Sequence, residues 1–169
     1  MRELLVRAIS ALVYTVVIIS SILYSKESFY IVFYLLMCLC LFEFKNLIKL
    51  SYQWTFVVAS LIYFRFSYLP VFDFKYLHFF LIVSIFVPFI YQIIKPKVRL
   101  TSSKLGHYLL TLAYISIPFT LLTQIPFIDN DYHPKIIIGF FILIWINDSF
   151  AYFVGSTIGK NKLYEKISP

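Results

Sequence analysis

The stretch IIIGFFILIWINDSFAYFV, residues 136–154, decides how this chain is read. It is an almost unbroken apolar run, and a transmembrane helix needs roughly 20 such residues. Asp148 interrupts it. A carboxylate deep in hydrocarbon costs at least ~2.5 kcal/mol, so Asp148 is expected to face protein or water and to serve a purpose there.

The rest of the chain has the same character. Of its 169 residues 61% are hydrophobic and 14% are charged, against about 25% charged in soluble domains, and the mean hydropathy is +0.85. The composition excludes a soluble domain and predicts an all-α, polytopic transmembrane bundle occupying residues 1–169 as one domain. Apolar runs predict about six spans, near Ala8–Tyr24, Phe29–Phe44, Trp54–Pro70, Leu77–Ile94, His107–Gln124 and Ile136–Val154. Each must be helical, because hydrocarbon offers the backbone no hydrogen-bond partners. The first run lacks a small-x-small cleavage site and reads as a retained span rather than a signal peptide.

Charge orients the bundle. With the N-terminus inside, the cytoplasmic side receives Arg2, Arg7, Lys45, Lys49, Lys95, Lys97, Arg99, Lys104, Lys160, Lys162 and Lys166, eleven of the fifteen basic residues. Lys26, Lys75 and Lys135 lie outside, and Arg65 is close enough to the outer end of its span to snorkel. This positive-inside asymmetry places both termini in the cytoplasm. The net charge of +7 is then largely a rim facing anionic lipid headgroups. The 21% aromatic content follows the spans and does not form a base-stacking platform, so no nucleic-acid partner is expected. Cys38 and Cys40 point about 200° apart on a helix and cannot chelate together. His78, His107 and His133 are dispersed, and Asp129 and Asp131 read as solvated loop residues. No internal repeat suggests a transporter.

Steps of three and four from Asp148 reach Ala151, Tyr152, Gly155, Ser156 and Gly159, a small and polar helical face. Phe150, Phe153 and Val154 make the opposite face large and apolar. The small residues alone could serve close helix packing. Asp148, with Asn147 beside it, asks for more. Lys160, Lys162 and Lys166 follow at the cytoplasmic mouth, Lys160 about 18 Å along the helix from Asp148. A carboxylate at depth with lysines at the mouth suits a polyphosphate and its Mg²⁺, the carboxylate holding the metal and the ammonium groups the phosphate oxygens.

The segment WINDSFAYFVGSTIGKNKLYEKISP, residues 145–169, resembles the bacterial CTP:phosphatidate cytidylyltransferases, or CDP-diacylglycerol synthases. Trp145, Asp148, Ala151, Tyr152, Gly155, Gly159, Lys160, Lys162, Lys166, Ser168 and Pro169 stand where that family's motif has the like residues. LLVRAISALV and FEFKNLIK, the latter with Glu43, are similar to the family's first and second spans. The resemblance implies an inner-membrane enzyme of phospholipid biosynthesis that joins CTP to phosphatidate, releasing CDP-diacylglycerol and pyrophosphate, with Mg²⁺. It implies Asp148 as the catalytic, metal-holding carboxylate and Lys160, Lys162, Lys166 and Ser168 as substrate-binding groups; Asn147 joins the substrate-binding set by its place beside Asp148.

The family continues beyond the Ser-Pro into spans bearing a Lys-Asp pair, a glycine-rich turn with a histidine and a final pair of aspartates, which this sequence lacks. The expectation is therefore an N-terminal portion, inactive alone and completed by a missing C-terminal half, with a homodimer as a further partner to consider. Two other readings stay open: a CTP-dependent kinase of a polyprenol- or phytol-like alcohol, and a non-enzymatic six-helix membrane subunit whose Asp148 pairs with a neighbouring helix.

Overall fold

The computed structural model describes residues 2–48, 53–68, 104–128 and 130–159, with isolated positions 83 and 90. Helix α1 (Arg2–Tyr24) is followed by α2 (Lys26–Ile48) and α3 (Gln53–Tyr68). A helical rod then runs through α4 (Lys104–Thr111), a π-helical turn (Leu112–Ser116) and α5 (Ile117–Leu122). A short antiparallel hairpin, β1 (Phe127–Ile128) and β2 (Asp131–Tyr132), leads into α6 (Pro134–Thr157). The chain is all-α apart from this hairpin, and five of the six expected spans coincide with helical segments. The sixth, Leu77–Ile94, lies outside the described residues save for Val83 and Ile90. Residues Lys26–Phe44 and Pro134–Thr157 are long and apolar enough to cross a membrane, while the apolar parts of α1, α3 and the rod are shorter.

The single residue Ser25 separates α1 from α2, and two serines make so sharp a corner possible. The Ser25 and Ser28 hydroxyls each accept the other residue's backbone N–H, at 3.1 Å, a reciprocal cap on α2. Ser28 also donates to the Ser21 carbonyl. That carbonyl belongs to the last turn of α1, where no intrahelical donor remains. One hydroxyl thus closes one helix and opens the next.

Helix α2 is the centre of the bundle. Phe29, Phe33, Met37 and Leu41, spaced by four, are buried along one face with Tyr30 beside them, against Ile18 and Ile22 of α1, Ala59 and Tyr63 of α3, Ile115 of the rod and Ile137 of α6. Helices α2 and α3 run antiparallel, because Tyr63 donates to the Tyr30 carbonyl at 2.8 Å and Tyr34 meets Ser60 at 2.9 Å. Helix α3 and the rod run parallel: Ser116 donates to the Ala59 carbonyl at 3.4 Å and, further along both, Ser67 meets Thr123 at 2.9 Å.

The α3–rod seam is built of small and hydroxylated residues. Thr55, Ala59, Tyr63 and Ser67 recur every fourth position of α3, and all are buried. Thr111, Ser116, Thr120 and Thr123 of the rod are buried as well. Small and hydroxyl-bearing residues let helices approach closely and bond across the contact. The exterior is the reverse, with Leu12, Val16, Leu35, Leu39, Leu61 and Leu143 all exposed.

Asp131 of the hairpin is exposed, as expected, and Asp129 lies outside the described residues, but the residues around them pack on the bundle. Pro126 is fully buried, Phe127 stacks on Tyr30 with centroids 5.9 Å apart, and Tyr132 lies 6.1 Å from Phe29. The Tyr132 hydroxyl donates to the Ile22 carbonyl at 2.9 Å, satisfying another orphaned acceptor at the end of α1. Asn130 turns the hairpin at φ 67°, a left-handed conformation that asparagine tolerates well. Burial pushes the Tyr132 phenol up to about 12, with the Glu27 carboxylate adding to the rise.

Candidate functional site

Helix α6 carries Asp148. It opens at Pro134, whose missing N–H costs nothing in the first turn, and is tied to the hairpin by the His133 N–H, which donates to the Pro126 carbonyl at 2.7 Å. Its first half docks on the bundle. Ile137 is fully buried, and Phe141 sits between Phe33 of α2, at 5.9 Å, and Trp145, at 5.8 Å.

Ile137, Phe141, Trp145, Asp148, Tyr152, Gly155 and Gly159 follow one another by fours and threes and form a single stripe, within about 80° of arc on an α-helix. The upper part of the stripe is the docked face. Below Trp145 the same face becomes carboxylate, phenol and glycine, and there it is uncovered: Asn147, Asp148 and every residue through Gly159 are exposed. Asp148 therefore faces the bundle side of α6, not its outer back. It stands about 13 Å before the end of the helix at Thr157.

Because Phe29 meets Tyr132 and Phe33 meets Phe141, α2 and α6 run in the same direction. The N-terminal end of α1 and the C-terminal end of α6 lie together at the end opposite the hairpin, since Ile22 and Tyr132 meet at the hairpin end. Among the described residues Asp148 makes no ion pair, and no three His, Cys, Asp or Glu side chains come together as a metal cage. Mg²⁺ does not need a cage. It is commonly held through one or two carboxylates plus substrate phosphates and water, and a single unpaired Asp148 fits that donor set.

The other expected site residues divide. Asn147 is brought beside Asp148, exposed like it. Lys160, Lys162, Lys166 and Ser168 lie outside the described residues. The Ser156 and Thr157 hydroxyls both donate to the Phe153 carbonyl, at 3.0 and 2.7 Å, so they serve their own helix.

The two glycines of the stripe part company. A Cβ on Gly155 would meet nothing within 4 Å, whereas one on Gly159 would sit 2.3 Å from the Gly155 carbonyl oxygen. There the chain folds over the helix end, with the Ile158 and Gly159 N–H groups both donating to the Val154 carbonyl at 2.9 and 3.2 Å. Gly159 is thus a helix-end residue, and close helix packing is not needed to explain it. Besides its place in the motif, Trp145 joins the docked half of the stripe to Asp148, a role that the spacing Phe141, Trp145, Asp148 carries in the sequence itself.

A family model described as the cytidylyltransferase family matches residues 5–169 of the chain. No curated protein and no solved structure matches it.

Proposed function

We propose, from the premise that this chain belongs to the cytidylyltransferase family and so to the CTP-utilising nucleotidyltransferases, that its acceptor is phosphatidate and its product CDP-diacylglycerol. The observation that carries the site assignment is Asp148, deep in an apolar helix on the bundle-facing stripe and with no ion pair among the described residues. A structural carboxylate would be expected to have a cationic partner there.

In the reaction a phosphate oxygen of the lipid bonds to the α-phosphorus of CTP, the bond from that phosphorus to the α–β bridging oxygen breaks, and pyrophosphate leaves. The chemistry asks the protein chiefly for positioning and charge neutralisation. Mg²⁺, when bound, supplies neutralisation of the phosphate oxygens. Asp148 would hold it, and Asn147 would offer its amide to the nucleotide. Lys160, Lys162 and Lys166 would take the phosphates at the mouth, and the Ser168 hydroxyl would donate to one of them.

The enzyme works in the bacterial cytoplasmic membrane with both termini inside. Supporting this are the apolar exterior, two helices long enough to span, the shared end of the first and last helices, and the concentration of lysine and arginine in the segments assigned to that side.

The test is Asp148→Asn in a complemented or full-length context in which the unmutated protein is active, assayed in membranes with CTP labelled in its α-phosphate, alongside immunoquantified protein. The expected result is normal abundance with no label entering lipid. Low abundance would assign Asp148 to a structural pair, and normal activity would remove it from the site. Transfer of γ-label instead of α-label by the unmutated protein would make it a lipid kinase.

A further inference from the structure

Helices α2 and α6 meet at Phe33 and Phe141, with centroids 5.9 Å apart, and run in the same direction from that contact. The steps that follow are identical on the two helices. Four, seven and eleven residues on, α2 presents Met37, Cys40 and Phe44 where α6 presents Trp145, Asp148 and Tyr152. Equal steps turn both helices through equal angles, so each pair keeps the orientation of the first to within about 40°.

The pairs do not stay in contact. Met37 is completely buried and Trp145 half-buried, but Cys40 and Asp148 are both exposed. At the last pair, about 16 Å below Phe141, Phe44 leans on Tyr114 of the rod, with centroids 5.9 Å apart, and Tyr152 is 80% exposed. Helices in contact have axes about 8–10 Å apart, too close to leave facing side chains so open, and α6 therefore parts from α2 below Trp145. Helix α1 does not fill the space, since its described side chains from Leu5 to Tyr14 are all exposed. Among the described residues the result is a cleft, with Asp148 near its closed end and Tyr152 nearer its mouth.

A tyrosine this close to the end of a span ordinarily anchors the helix at the membrane interface, on the side that meets lipid. Tyr152 points the other way, within about 20° of Phe141 on the docked stripe. Neither its ring nor its hydroxyl has a partner among the described residues. It stands about 6 Å along the helix from Asp148, and at Gly155, next on the same face, a Cβ would meet nothing within 4 Å. An unpartnered phenol with open space beside it is placed to donate to an anion. A phosphate chain running from a metal at Asp148 toward the mouth passes it.

We propose that the cleft between α2 and α6 seats the nucleotide and that Tyr152 is a further substrate-binding residue, its hydroxyl donating to a triphosphate oxygen between Asp148 and the mouth. The proposal rests on the reading of Asp148 as the carboxylate that serves Mg²⁺ and CTP. It makes α2 the second wall of the site, although none of the residues assigned above lies on that helix.

The experiment is maleimide labelling of Cys40 in membranes, in a context in which the unmutated protein is active and with Cys38 replaced by alanine so that Cys40 is the only thiol. Cys40 should label readily, and Mg²⁺ with a CTP analogue whose α–β bridging oxygen is replaced by methylene should slow the reaction. Tyr152→Phe keeps the ring and removes the donor. It should leave labelling without nucleotide unchanged, which reports an intact fold, and raise the analogue concentration for half-protection about tenfold or more, as expected for losing a hydrogen bond to a charged group. Cytidine, which has no phosphate, should act on the two proteins alike. Half-protection unchanged by Tyr152→Phe, or a shift with cytidine as large as with the analogue, would overturn the role of the hydroxyl. Failure of Cys40 to label without nucleotide, or labelling that the analogue does not slow, would overturn the cleft. These outcomes are separable from the fate of the Asp148 reading, because transfer of α-label by Asp148→Asn decides that reading without reference to Cys40 or Tyr152.

Discussion

Replacing each glycine of the Asp148 stripe by alanine should produce opposite effects, and the contrast can be worked from the backbone. At Gly159 the new Cβ would stand 2.3 Å from the Gly155 carbonyl oxygen, so the chain must open by roughly 1 Å to reach ordinary contact. The movement threatens the Ile158 and Gly159 N–H bonds to Val154. Each such bond is worth about 1 kcal/mol net, and forced overpacking costs about 1–3 kcal/mol. Fraying of the helix end should therefore become about 5- to 150-fold more frequent, from the same 1–3 kcal/mol. At Gly155 the Cβ meets nothing within 4 Å, and alanine gains about 0.5–1 kcal/mol as a helix former. Hydrogen exchange of the amides around residues 154–159, in nanodiscs, reads both. Protection should fall in Gly159→Ala and hold or rise in Gly155→Ala. Equal loss in the two variants would refute the reasoning, because it would mean that Gly155 is pressed against a neighbour and that the steric difference at Gly159 is not what matters.

Tyr132→Phe should lower stability by about 1 kcal/mol through loss of the bond to the Ile22 carbonyl. The phenol also makes an alkaline signature: below pH 10 it is protonated folded or unfolded, and between pH 10 and about 12 only the unfolded form ionises. The difference in thermal midpoint between the parent protein and Tyr132→Phe should be constant below pH 10 and shrink as pH rises toward 12. Ser67→Ala should cost about 0.5–1.5 kcal/mol in a thermal shift assay, since it removes the Thr123 contact from a buried seam. Reporter fusions after Lys49, Lys104 and Lys166 should report cytoplasm, and those after Glu27, Lys75 and Asp131 the opposite side; a reversed pattern would put the Asp148 stripe's open end away from CTP.

Hydropathy and spacing alone placed α1, α2, α3, the rod and α6 close to their observed limits, because the need to satisfy backbone groups within each apolar run is local. They also marked Asp148, since one carboxylate in such a run is conspicuous wherever the helix sits. What they could not supply is phase and partnership. Nothing in the hydropathy of residues 104–122 distinguishes a continuous helix from one that changes phase at Leu112–Ser116; Pro118 hinted at a disturbance, but the seam with Ala59 and Ser67 shows which faces had to be aligned. The packing of the hairpin was not legible in the sequence, because the value of Tyr132 lies in reaching a carbonyl 110 residues earlier in the chain. The glycines at 155 and 159 are chemically identical in sequence, and only the fold of the chain over the Gly155 carbonyl separates them. Local periodicity determines that helices form, whereas the direction in which each one presents its residues is decided by contacts between segments far apart in the chain.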